Sequence, residues 1–190
     1  MTFLGNTRCF GFEVPHPIGH PDLTTVAVWI GGIRLATSGC YLPSFLQMAQ
    51  RFYQRQITFA ELPDVAARLD ALCPRACLLL LREIIRTAQN AGQTPPPYSM
   101  NGFDEATDNY RIFVVDTLRQ ERRVLYEGRA ECGTCPEEHV GTVGEGRLSD
   151  EELFRTFREL FAYFKCNVAY SNSDWAAWHE RYARGFQEEV

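Results

Sequence analysis

Lysine is almost missing from this chain: of nineteen basic residues, eighteen are arginine and Lys165 is the single lysine. Long apolar runs are missing too. A membrane-spanning helix needs about 18 or more consecutive apolar residues, and the longest stretch here, ACLLLLREII, is broken by Arg82 and Glu83. The first residues, MTFLGNTRCF, lack a basic region followed by an apolar block. No signal peptide is therefore expected, and a cytoplasmic location is. There is no G-x-S-x-G nucleophile elbow and no glycine loop of the kind that cradles phosphates. Positive charge is also in deficit. A net charge of −5 makes a nucleic-acid backbone a poor partner. Seven cysteines, an odd number at irregular spacing, do not form a disulfide framework, and most are expected to be reduced and buried.

What is present reads as one domain spanning 1–190, a length ordinary for a single core. In RCFGFEV (8–14), Phe10, Phe12 and Val14 alternate with Cys9, Gly11 and Glu13, the period of a half-buried strand. In TTVAVWIGGIRLAT, the Gly31-Gly32 pair predicts a two-residue hairpin. LPSFLQMAQRFYQRQ (42–56) repeats Phe45, Leu46, Ala49, Phe52 and Tyr53 at helical spacing, with Pro43 in the first turn. PRACLLLLREIIRTAQNAG (74–92) runs from Pro74 to Gly92 and is apolar over most of its circumference, which predicts a well-buried helix. Three prolines make 93–109 a loop. YRIFVVDT (110–117) and RRVLYEG (122–128) read as a hairpin, and glycine-rich 129–147 as turns with short strands near Glu131 and Val140. Ser149 and Glu152 match a capping box at the head of an apolar stripe, Leu153, Phe154, Phe157, Leu160, Phe161 and Phe164. A last helix is expected over about 173–187. Strands then helices, twice, predict an α+β fold: antiparallel sheet from two hairpin regions, packed by about four helices.

CGTCPEEH (132–139) is the stretch closest to a chemical motif. A structural zinc site needs four ligands, usually two close pairs. Cys132 and Cys135 are one pair, with His139 as a possible third ligand, but no second CxxC follows. Cys73 and Cys77 have three residues between them at a helix start and belong to a core. A redox CxxC needs a helix behind it to lower a thiol pKa, and HVGTVGEG gives none room. The expectation is a glycine-bearing turn, with no metal, no cofactor and no catalytic residue. His16 and His20 sit in a proline-rich loop and His179 beside Trp178, positions that suit surface or structural roles.

Acidic residues crowd two regions, 104–108 and 131–152. They form either a solvated face or a surface that docks a basic partner, where opposite charge speeds association. In order, FGFEV, VAVWIGGIRLA, RIFVVD with RRVLYEG, and GRLSDEELFRTFRELFAYF resemble the small immunity proteins that protect bacteria from polymorphic toxins delivered by contact-dependent or type VI secretion. The segment 129–147 stands outside that pattern. The resemblance implies a non-enzymatic protein that binds one cognate toxin domain and blocks it. The expected partner-binding residues are Tyr98, Phe103, Asp104, Glu105, Asp108, Glu131, Glu137, Glu138 and Glu145. Two other classes stay open: a different intracellular interaction or regulatory domain, and a metal- or thiol-dependent enzyme built on the Cys132/Cys135 region.

Overall fold

The structure, a computed structural model, describes residues 1–18, 23–35, 39–100, 109–118, 121–129 and 136–167. Strands β1 (Thr2–Asn6) and β2 (Phe10–Val14) are followed by β3 (Leu23–Thr25), β4 (Ala27–Ile30), β5 (Ile33–Leu35) and β6 (Gly39–Tyr41). Helices α1 (Leu42–Thr58), α2 (Pro63–Ala71) and α3 (Pro74–Asn90) come next. Then come β7 (Tyr110–Asp116), β8 (Glu121–Gly128) and β9 (Val143–Ser149), and finally α4 (Asp150–Asn167). One sheet has the order β1-β2-β4-β5, a second β7-β8-β9, and β3 pairs with β6. Every pairing between these strands is antiparallel. This is the expected α+β architecture. Four helices are described, although one of them, α2, stands in for the expected helix at 173–187, which lies outside the described residues.

The glycine hairpin forms as predicted. Gly31 and Gly32 hold φ of +61° and +81°, and Ile30 faces Ile33 across the two-residue turn; positive φ at both central positions is what this turn demands. The strand before it differs from expectation. β2 is buried on both faces, because it lies between β1 and β4 and because Trp29 and Arg34 reach over it to Glu13.

Each helix starts by a readable device. α1, α2 and α3 open with proline in the first turn, where its missing N–H costs nothing. α4 opens with the capping box: the Glu152 amide donates to Ser149 Oγ at 3.2 Å and the Ser149 amide to Glu152 Oε2 at 2.8 Å. The α3 expectation fails. Only Cys77, Leu78 and Leu81 are buried, and Leu79 is 60% exposed. The helix lies along the outside of the three-stranded sheet, so only one stripe finds a partner.

Two apolar clusters fill the interior. The larger joins β2, β4, α1, β7, β8 and α4. Phe157 of α4 is fully buried at its centre, with ring centroids 5.7 Å from Phe10, 5.6 Å from Phe12 and 5.7 Å from Phe52. The smaller packs Leu69, Cys77, Leu81 and Tyr98 on Phe113, Val115 and Leu125. The two large sheets meet at a backbone crossing. The Gly31 amide donates to the Cys9 carbonyl at 3.0 Å, and a Cβ on Gly146 of β9 would overlap that same carbonyl. Only glycine admits so close an approach.

Truncating Phe157 to alanine removes the ring on which β2 and α1 both pack. The expected loss is about 3–5 kcal/mol, read from denaturant melts; a loss under about 1 kcal/mol would place the ring outside the core. Acid stability follows from two carboxyls. Arg34 holds Glu13 below its ordinary value of 4.5, with Trp29 adding to it. The Ser149 amide and hydroxyl do the same for Glu152. Folded values below unfolded ones mean that this stability is complete above the ordinary carboxylate pKa and is lost as pH falls through the folded values. Glu13→Gln should lower the melting temperature near neutral pH and flatten its fall on acidification below about pH 4.5.

Candidate functional site

Of the nine residues expected to face a partner, Phe103, Asp104, Glu105, Asp108 and Glu131 lie outside the described residues, as do Cys132 and Cys135. The other four divide sharply by environment.

Glu137 and Glu138 are exposed on a single 3₁₀ turn, Glu137–His139. The turn is held from several sides. Its His139 Nδ1 lies 2.7 Å from the Tyr110 hydroxyl at the start of β7. Gly128 accepts from the Gly141 amide at 3.0 Å and donates to Thr142 at 3.1 Å, which ties the segment to the end of β8. Arg75 from α3 donates to the Gly141 carbonyl at 3.1 Å. Two carboxylates are thus presented to solvent from a turn that the scaffold holds, the arrangement in which loops carry recognition.

Glu145 is used differently. It lies on β9 between two arginines: Arg123 donates Nε at 2.8 Å and Nη2 at 2.5 Å to its Oε2, and Arg147 Nε stands 3.4 Å from its Oε1. Arg147 continues to Asp70 at 2.7 Å, and Arg123 also donates to the Leu69 carbonyl. Two guanidiniums therefore meet the last turn of α2, where a helix dipole favours positive charge. Tyr98 is 1% exposed and donates its hydroxyl to Glu61. Burial, then that bond, pushes the phenol far above its ordinary pKa. Its ring packs edge-on to Phe59 at 5.7 Å. Tyr98 belongs to the smaller core and offers no ring to a partner in this arrangement.

Burial raises the Cys77 thiol to about 11 and also raises Cys9. Neither supplies a thiolate near neutral pH. Among the described residues, no group of three or more histidine, cysteine and carboxylate side chains is placed to hold a metal ion, and no helix is long and apolar enough to cross a membrane.

The sequence reading missed the paired arginines. The signal was the RR dipeptide at 122–123: adjacent strand residues point to opposite faces, so one arginine at least had to enter a core.

These features define a class first: an α+β fold of antiparallel sheets packed by the amphipathic helix α4. No protein-family model matches the chain, and no curated protein does. Among solved structures, CdiI from Burkholderia dolosa AUO158 is similar in fold. The TM-score is 0.62, over 85% of this chain and 99% of that one, at 17% sequence identity. The likeness is one of fold.

Glu145→Gln separates a structural carboxylate from a recognition one. The Arg123 side chain is 1% exposed, and removing its counter-charge leaves a buried guanidinium unpaired, at an expected cost of about 3 kcal/mol or more. Replacing both, Arg123→Met with Glu145→Leu, should recover most of the loss. Urea melts of the three variants decide it; a Glu145→Gln protein as stable as wild type would free Glu145 for a partner.

Proposed function

We propose that this protein is an immunity protein that binds a cognate bacterial toxin domain and neutralises it. The carrying observation is the CdiI-like fold over most of the chain. The rest of the surface is consistent with it. An inhibitor needs a complementary surface and no reacting group, and the described thiols with raised pKa values are poor nucleophiles. The protein acts in the cytoplasm, where a toxin would meet its target.

The binding surface is the acidic turn at Glu137 and Glu138 together with Phe103, Asp104, Glu105, Asp108 and Glu131, and it takes a basic face of the toxin. Capture of a lethal enzyme has to be fast. A net charge of −5 with exposed carboxylates raises the encounter rate with a cationic partner. Glu145 and Tyr98, spent on internal contacts, fall outside this surface.

The test co-expresses the chain with the toxin gene that neighbours its own. Wild type should bind the toxin and restore growth. Charge reversal, Glu137→Lys with Glu138→Lys, should slow association by about tenfold at low salt, with a smaller effect as the Debye length shrinks. Both side chains are exposed, so the melting temperature should hold. A wild type that neither binds nor protects defeats the immunity reading. A reversal variant that associates at the wild-type rate moves the surface elsewhere.

A further inference from the structure

The chain is acidic overall, yet one groove is densely basic. It runs between α1, α3, the 95–97 proline segment and the β7–β8 edge. Two adjoining cavities of about 450 and 520 Å³ share Arg55 and Ser99 in their walls. Their walls carry Arg51 and Arg55 from α1, Arg82 and Arg86 from α3, Arg111 from β7 and Arg129 beyond β8. On the two helices, Arg86 is bonded to Glu83 at 2.6 Å and Arg82 stands 3.5 Å from Glu127, which also meets Arg111 at 2.9 Å. No described carboxylate pairs with Arg51 or Arg55, and both are exposed.

The spacing sharpens the point. Arg51 and Arg55 are four apart on one helix, and so are Arg82 and Arg86 on another. Like charges one turn apart destabilise a helix. Selection for stability alone does not place two such pairs on facing walls of one groove.

We propose that this groove is a second binding site, one that takes an acidic segment of a protein partner. Guanidinium forks match carboxylates bidentately, and four arginines on two helices can grip side chains spaced along an extended peptide. The Pro95–Pro97 wall is rigid, which limits the ordering cost of binding. Single-stranded nucleic acid is the competing polyanion. Such sites pair basic grooves with exposed aromatic platforms on which bases stack. The rings lining this groove, Phe52 and Phe113, are 6% and 5% exposed. A long polyanion would also be repelled by a chain of net charge −5. A short acidic segment meets only the groove. Its ligand class does not rest on the immunity reading; under that reading, the segment belongs to the toxin.

The test measures fluorescence anisotropy of labelled hexaglutamate, hexalysine and oligothymidylate with the full chain. Hexaglutamate should bind, more weakly as salt rises, and hexalysine should not compete for the groove. Arg55→Glu with Arg86→Glu should weaken hexaglutamate by about tenfold or more. Arg158→Glu, an exposed arginine of α4 away from the groove, should leave binding unchanged. The exposed sites should tolerate these changes in a thermal melt; if the double reversal melts early, Arg55→Gln with Arg86→Gln reads the same effect. No hexaglutamate binding by wild type, an equal loss in the Arg158 control, or tighter binding of oligothymidylate would each overturn the proposal. Because the probes are free peptides, failure here leaves the toxin test standing, and failure there leaves this one.

Discussion

Two adjacent guanidiniums on β8 organise this protein. A strand sends successive side chains to opposite faces, so Arg122 and Arg123 enter the two sides of the three-stranded sheet. Arg122 reaches Asp116 of β7 at 2.5 Å, Asp150 at the head of α4 at 2.5 Å and Gln56 of α1 at 3.0 Å, with the Phe154 ring 5.8 Å away. Arg123 reaches Glu145 of β9 and the end of α2. Buried ion pairs of this kind repay their desolvation poorly, so they are a weak source of net stability. Their consequence is geometric. A one-residue slip of β8 would send each arginine to the wrong face, leaving one charge without Glu145 and the other without Asp116 and Asp150. Register, helix placement and sheet order are fixed together.

That network explains which parts of the molecule could be read from sequence. Local devices were legible: the Gly31-Gly32 turn, the Ser149–Glu152 box, the Phe45 to Tyr53 stripe of α1 and the stripe of α4. Each depends on neighbours a few residues away. Elements defined by distant partners were not. VGEGRLS looks like a glycine-rich loop, yet it is β9 because Gly146 must let the Cys9 carbonyl approach and Glu145 must meet Arg123. α2 has only two buried residues, Ala66 and Leu69. Its role is to offer its C-terminal carbonyl and Asp70 to arginines from β8 and β9, which no periodicity announces. α3 has an apolar pattern wide enough for a buried helix, and only one side of it finds cover.

The candidate surface shows the same division. A count of carboxylates treats Glu137, Glu138 and Glu145 alike. The fold does not, because an arginine 22 positions upstream claims Glu145, while nothing in the described structure is ion-paired with Glu137 or Glu138. Acidic residues that remain exposed after the internal pairs are satisfied are the ones available to a partner. The same subtraction applied to arginine removes Arg34, Arg122, Arg123 and Arg147, which are engaged internally, and leaves Arg51 and Arg55 exposed along with the scattered Arg8, Arg68 and Arg158.

Charge is therefore segregated, with carboxylates on a turn at the end of β8 and guanidiniums along α1 and α3. A uniformly acidic surface would attract any cationic protein with equal indifference to orientation. A surface with an acidic turn and a basic groove accepts a partner only when that partner carries the opposite pair in matching positions, and a reversed approach meets like charge at both ends. Such repulsion against wrong orientations and wrong partners is how charge contributes specificity where it adds little affinity. For the toxin capture proposed above, discrimination of this kind matters as much as tightness. The residues that would carry it are those that the β8 network leaves unpaired.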